Sequence, residues 1–422
     1  MEAAMTERWL IAADDLTGAA DCAIAFAKHG TAASVGWGDH DGKPDDGAAV
    51  FSYDAASREL SPPAAAARMQ DVLGRFLGDG TVFFKKIDST LRGQPAMEIL
   101  ATVEVLRART GTAFGIFAPA FPATGRTTRD GRVLIDGTPL EETEIWQRQH
   151  SYPSADLREI LATAELTSGT LPLAVIRGGA ETLRTALAAL AGEGKAIAIC
   201  DAETEDDLHR IAAASLPAAP GTFFIGSAGL AHALAAAAPG AGSEPMPLAK
   251  TSKGALIVVG SLARASRQAA HHLAETETVR YLPVAPELLL DDTAGRAELG
   301  LQVVSWLKAG DDVLVEILAG DRPDLSIGRS LADGLAEALK PAVLHMGGLA
   351  ATGGDTAAAL LDRFGVNGIR LVDEIEPGVS LGLTLGAVTL PVVTKAGGFG
   401  DRDSLIRIAT RLRLIRQEGN LA

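Results

Sequence analysis

At 422 residues the chain exceeds the length at which a single hydrophobic core stops growing, so about two domains are expected. Apolar residues make up 47% and charged residues 22%, which excludes a disordered or fibrous chain. The formal charge of −15, with no long basic run, argues against nucleic acid or an anionic membrane as partner and favours a small-molecule ligand. An anionic ligand would need a local pocket of cations or backbone N–H groups.

The first eight residues, MEAAMTER, carry no basic region leading into an apolar signal core, and no stretch approaches a membrane span. Cys22 and Cys200 provide neither a disulfide framework nor a thiolate zinc site. Both features are read as cytoplasmic. The sequence leaves room for a homo-oligomer.

Short β-rich runs then alternate with helix-length Ala- and Leu-rich segments: WLIAA (9–13), AASVGW (32–37), AVFSY (49–53), TVFFKKI (81–87), AFGIFA (113–118), PLAVI (172–176) and AIAIC (196–200). Several are apolar on both faces, the pattern of a largely parallel sheet covered by helices. Pro, Gly and Ser cluster over 233–254, where the periodicity fails. The alternation restarts with ALIVVG (255–260), VLVEIL (313–318), AVLHMG (342–347), IRLVDEI (369–375) and PVVTKAGG (391–398). The expected fold is therefore two α/β domains with largely parallel sheets: residues 1–240, a linker at 241–253, and residues 254–422.

In an open α/β sheet, ligands bind beyond the carboxyl ends of the strands. Asp14 and Asp15 stand at such an end in WLIAADDLTGAAD. One Asp is ordinarily a helix cap, but two in succession, followed by Thr17 and Gly18, point to a ligand site. In FFKKIDSTLRGQP, Lys86 and Asp88 share one strand face and Lys85 takes the other. A solvated edge strand would explain the lysines, but not Arg92, which can grip a planar carboxylate. APAFPATGRTTRDG (118–131) reads as a Pro- and Gly-rich loop bearing Arg126 and Arg129.

In the second half, HMGGLAATGGDTAAALLDRFG (345–365) reads as a buried strand ending at Met346, then glycines, then a helix opened by Asp355 and Thr356. Exposed amides at such a turn suit phosphate. VTKAGGFGDRDSL repeats the design with Lys395, Gly397 and Gly398, and VVGSLARAS places Ser261 at a strand end. These loops suggest a polyphosphate held between them. The P-loop and dinucleotide fingerprints are absent, Ile225 breaks a nucleophile elbow at IGSAG, and His271-His272 has no metal-site spacing.

Taken together, ADDLTGAAD, KKIDSTLRG, FPATGR, FIGSAGLA, VVGS, TGGDT, EIEPGVSLG and TKAGGFG resemble, in order and across nearly the whole chain, the four-carbon acid sugar kinases. The resemblance implies a substrate-binding N-terminal domain, an ATP-binding C-terminal domain, and phosphorylation of the terminal (C4) hydroxyl of a tetronate. It assigns Asp14, Asp15, Lys86, Asp88, Arg92 and Arg126 to the sugar acid. It assigns Ser261, Gly353, Gly354, Asp355, Thr356, Lys395, Gly397 and Gly398 to ATP. The TGGDT and KAGGFG motifs point towards D-threonate, with D-erythronate and 3-oxo-tetronate as alternatives.

A carboxylate at a strand mouth can orient a substrate hydroxyl and accept its proton during phosphoryl transfer. Asp15 is the first candidate and Asp88 the second, while Arg92 or Lys86 neutralises the substrate carboxylate. Mg²⁺ is expected to bridge the phosphates, with Asp355 as a ligand directly or through water. A nicotinamide-dependent dehydrogenase is disfavoured because the first strand meets Asp-Asp instead of a glycine fingerprint. A non-catalytic sugar-acid binder would have no need of the glycine-rich second domain.

Overall fold

The computed structural model describes residues 7–38, 45, 47–148, 152–238, 240, 242, 246–261, 263–318 and 327–421. Residues 1–6, and 241 and 243–245 of the expected linker, lie outside the described residues.

The strands in chain order are β1 (Arg8–Ala13), β2 (Ala33–Trp37), β3 (Val50–Asp54), β4 (Thr81–Lys86), β5 (Phe114–Ala118), β6 (Arg126–Arg129), β7 (Arg132–Ile135), β8 (Thr138–Pro139), β9 (Ser168–Leu171), β10 (Ile197–Cys200), β11 (Thr222–Gly226), β12 (Ala255–Val259), β13 (Arg280–Val284), β14 (Val313–Ile317), β15 (Gly348–Thr352), β16 (Val366–Glu376), β17 (Val379–Gly386) and β18 (Pro391–Lys395). The described residues form two compact units. The first takes residues up to 33 and from 47 to 242; the second takes 34–38, 45 and 246–421.

In the first unit a parallel sheet runs β3-β1-β4-β11-β5-β10-β9. Residues 9–13 of β1 are buried, as an interior parallel strand requires. Asp15 caps the helix Leu16–Lys28, its Oδ1 accepting the Gly18 N–H at 2.9 Å. The Ala, Gly and Cys side chains of that helix are small enough to bury nearly its whole circumference, against β3 and the helix Ala228–Ala237. On the other face of the sheet, Phe51, Phe83, Phe117 and Phe223 join Met69, Leu73, Ile99 and Leu106 from two covering helices in one core. β6, β7 and β8 form a separate antiparallel sheet.

The second unit is parallel across β13-β14-β12-β15-β18 and antiparallel through β17, β16 and β2. Its core joins Ile257, Val259, Leu314 and Val393 to Leu405, Ile408 and Leu412 of the helix Ser404–Glu418. Met246 and Leu248 pack on this core, and Leu248 N–H donates to Gly419 O at 2.9 Å.

The structure corrects several local expectations. PLAVI is the short helix Leu173–Ile176, opened by Pro172, and β9 lies just before it. AVLHMG closes a 3-10 turn at Lys340–Ala342 and is no strand. The strand is GLAAT, shifted to 348–352, where small side chains fit between β12 and β18 beneath covering helices. Arg126 and Arg129 stand on strand β6, not on an irregular loop. β4 is interior, between β1 and β11, so its paired lysines do not mark a solvated edge.

Candidate functional sites in the two units

Parallel register brings the carboxyl ends of β1, β3 and β4 side by side, with Ala13 opposite Asp54 and Ala12 opposite Lys85. Asp14 and Asp15 leave β1, Arg58 follows β3, and Lys86 and Asp88 end β4. Arg58 joins them. Its Nε and Nη2 donate to the two oxygens of Asp14 at 2.7 and 3.0 Å, and its Nη1 donates to Asp15 Oδ2 at 2.8 Å. Arg58 Nη2 also stands 3.8 Å from Asp88 Oδ1. Thr17 donates its hydroxyl to Asp15 Oδ2 at 3.0 Å.

Asp88 is gripped by Arg92 through Nε at 2.9 Å and Nη2 at 2.8 Å, and it also accepts from Thr90. Turning the chain from Asp88 back towards the cluster puts Leu91 and Gly93 at φ of 62° and 82°. Lys86 lies over the first turn of the helix Leu16–Lys28: a Cβ on Gly18 would come within 2.7 Å of its ammonium and 2.6 Å of Asp15 Oδ1. A side chain at residue 18 would have to displace the Lys86 ammonium and the Asp15 cap.

Burial alone would neutralise these groups, but their mutual attraction outweighs it. It opposes ionisation of Asp15, yet Arg58 and Lys86 hold that carboxyl below the usual range. Asp88 is likewise buried, and Arg92 and Arg58 hold it well below that range. The Lys86 ammonium is raised against its desolvation by Asp14. At Asp54 the compensation falls short: burial, with Asp15 and Asp14 nearby, outweighs the Ala56 N–H and Arg58 and pushes its carboxyl up to about 7. Arg126 is half-buried, donates to Thr124 O at 3.1 Å, and is lowered by burial. Asp88 and Arg92 lie within its electrostatic reach. Arg58, Lys86, Arg92 and Arg126 thus gather around Asp14, Asp15 and Asp88, and a forked guanidinium suits a planar carboxylate ligand.

Every residue expected to hold the sugar acid therefore falls in this neighbourhood. Arg58 was missed. A lone arginine in DAASREL has no motif spacing, and the only available signal was its place just past the carboxyl end of a parallel strand.

In the second unit the ends of β12, β15 and β18 converge. Gly353 has φ 92°, a left-handed value, and its N–H donates to Lys395 O at 2.9 Å. Ser261 lies against both the Gly353 and Gly397 backbones, and Thr356 is pressed against Gly260. Any side chain on Gly260 or Gly397 would collide with these hydroxyl-bearing residues. Gly354 begins the helix Gly354–Arg363, with Asp355 exposed in its first turn and Thr356 buried. The left-handed Gly353 thus lies one residue before the helix. Gly398 is exposed, with open space where a Cβ would point.

Lys395 is buried, and its ammonium donates to Phe399 O at 2.6 Å, Ala396 O at 3.2 Å and Ser266 Oγ at 3.3 Å. Desolvation lowers it to about 8. In this arrangement it folds its own loop into shape. The first N–H groups of a helix have no intrahelical partner, so the start at Gly354, walled by glycine backbones and by Ser261, suits phosphate oxygens. The exposed Asp355 carboxylate fits Mg²⁺, which takes one or two carboxylates with phosphate and water oxygens.

A unit with a charged cluster at its strand ends, joined in one chain to a unit with a glycine-walled helix start, defines a two-domain α/β protein of the sugar-binding and nucleotide-binding type. Residues 9–234 match the model of a sugar-binding N-terminal domain, and 256–405 that of a nucleotide-binding C-terminal domain. The chain belongs to the four-carbon acid sugar kinase family. It is 40% identical over 405 residues to the D-threonate kinase of Cupriavidus necator, covering 94% of this chain and 96% of that protein. It is 28% identical to the D-erythronate kinase of Heliobacterium modesticaldum, covering 94% of each. The fold is similar to a solved structure described as a putative tRNA synthase from Salmonella typhimurium LT2. The TM-score is 0.81 at 22% identity, over 95% of this chain and 98% of that one.

Proposed function

We propose that the protein transfers the γ-phosphoryl group of ATP to the terminal hydroxyl of a four-carbon sugar acid, with D-threonate as the preferred substrate. The observation that carries the choice of substrate is the 40% identity, over nearly the whole length, to a D-threonate kinase. The guanidinium groups gathered beside Asp14, Asp15 and Asp88 support a carboxylate ligand in the first unit. D-erythronate and 3-oxo-tetronate are the alternatives, since kinases named for both are related to this chain.

In this reading residues 1–240 serve the sugar acid and 254–422 serve ATP. Arg58, Arg92, Lys86 and Arg126 receive the substrate carboxylate and spread its charge. Asp14 and Asp15 hold its hydroxyls through their remaining acceptor capacity. Asp15 takes the proton of the terminal hydroxyl as its oxygen attacks the γ-phosphorus, and ADP leaves. Asp88 is the weaker base, because Arg92 and Arg58 hold it well below the usual carboxylate range. The amides of the helix start from Gly354 onward, walled by Gly353, Ser261, Thr356, Gly397 and Gly398, cradle the phosphates, while Lys395 keeps the 396–399 loop in place. Asp355 would hold Mg²⁺, which neutralises phosphate charge when bound. Burial of both free cysteines is compatible with work in the reducing cytoplasm.

The test is an ADP-release assay with Mg-ATP against D-threonate, L-threonate, D-erythronate and 3-oxo-tetronate. D-threonate should give the highest kcat/KM, with a 4-phospho product by mass spectrometry. Inertness of all four overturns the reading; preference for another of them moves the substrate and leaves the class.

A further inference from the structure

Lys85 and Lys86 are neighbours on β4 and point to opposite faces of the sheet. Lys86 enters the aspartate cluster. Lys85 enters the hydrophobic side, beneath the helix Pro95–Thr110, where its side chain is wholly buried. There its ammonium stands 2.9 Å from Glu98 Oε1, and Glu98 is only 2% exposed. The same oxygen accepts the Ser57 hydroxyl at 2.6 Å. Burial raises the Glu98 carboxyl even with Lys85 beside it.

A buried ion pair of this kind is a poor source of stability, because desolvation consumes most of its attraction. What it does well is fix geometry, and here the fixed group is Ser57. The N–H groups of Ser57 and Arg58 both donate to Asp14 O, at 3.2 and 3.3 Å. The chain reaches that point through Ala56, held at the left-handed φ of 47° with its N–H on Asp54 Oδ1 at 2.7 Å. Without an anchor at Ser57, a turn strained at a non-glycine residue would relax and carry Arg58 with it.

We propose that Lys85, Glu98 and Ser57 form a positioning relay that sets the Arg58 guanidinium against Asp14 and Asp15 from the opposite face of the sheet. In this relay the three act through Arg58. The kinetic consequence rests on the sugar-acid kinase reading; the structural one does not.

The test uses the full chain with Ser57→Ala, Ser57→Thr and Glu98→Gln. Two quantities are read: KM for the sugar acid against KM for ATP, and the Arg58 Nε–H signal in a nitrogen–proton spectrum. Ser57→Ala should raise the sugar-acid KM by roughly 10-fold with the ATP KM unchanged, since small displacements of a binding group are costly. The Arg58 signal should shift or broaden, and Ser57→Thr, which keeps the hydroxyl, should restore both. Glu98→Gln should behave like Ser57→Ala; if it fails to fold, Ser57→Ala alone decides. An unmoved Arg58 signal in folded Ser57→Ala overturns the relay, as does an equal rise in both KM values. A moved signal in a protein whose wild type phosphorylates no tetronate leaves the relay standing and removes the kinase reading instead.

Discussion

Arg58→Met removes the one guanidinium that bridges Asp14 and Asp15 while keeping most of the aliphatic stem. Three hydrogen bonds of 2.7, 2.8 and 3.0 Å are lost, and Asp14, itself 3% exposed, loses both side-chain donors from that arginine. Breaking a fully buried pair costs about 3–5 kcal/mol, and the 17% exposure of the Arg58 side chain moves the expectation to roughly 2–4 kcal/mol at pH 7. The pH dependence has a definite sign. Asp15 and Asp88 are depressed in the folded protein, so their contribution is present above the unfolded value and lost as pH falls through the folded one. In the variant, burial without Arg58 raises the freed carboxyls, and acid relieves them by protonation. The gap between wild type and variant should therefore be widest at neutral pH and should narrow towards pH ~4. Native-state hydrogen exchange of β1 and β4 amides reads this opening free energy unit by unit, which a whole-chain melt of a two-unit protein does not. A loss below about 1 kcal/mol at pH 7, or a gap that stays constant towards pH 4, would show that the arginine is not what keeps these carboxylates ionised.

Asp15→Asn preserves the helix cap but removes the proton acceptor; turnover should fall by roughly 10²-fold or more with ATP affinity unchanged, measured by steady-state kinetics and calorimetry. Loss of ATP binding instead would refute the assignment of Asp15. Gly353→Val forces a β-branched residue to a φ of 92°, so ATP affinity should drop at least about 10-fold while the sugar acid still binds. Intact ATP binding in the folded variant would sink the phosphate cradle. Asp54→Asn should stabilise the protein at pH 8 by an amount on the order of a few kcal/mol and leave it little changed at pH 4. A carboxyl raised to about 7 favours folding below the unfolded value of 3.8 and loses that contribution as pH rises through 7; the amide does not. Equal stability of the two proteins across this range in hydrogen exchange would contradict the raised value.

The sequence by itself determined the features that rest on local pattern. Apolar runs on both faces of WLIAA, AIAIC and ALIVV fixed parallel interior strands, Asp-Asp marked the end of β1, and Gly-Gly before Asp355 and Thr356 marked a helix start. Short-range periodicity carries that information because each signal lies within a few residues of its effect. It failed where neighbours in space overrode it. GLAAT became the interior strand in place of AVLHMG, because small residues suit the slot between β12 and β18. Tertiary structure alone decided that Arg58, more than forty positions from Asp14, would close the carboxylate cluster. It likewise turned Lys85 away from Lys86 and onto Glu98, and turned the Lys395 ammonium back onto its own loop. The lone Arg and Glu involved carry no spacing signal. Only the parallel register of β1, β3 and β4 sets these charges at hydrogen-bonding distance, where burial makes each dependent on the others.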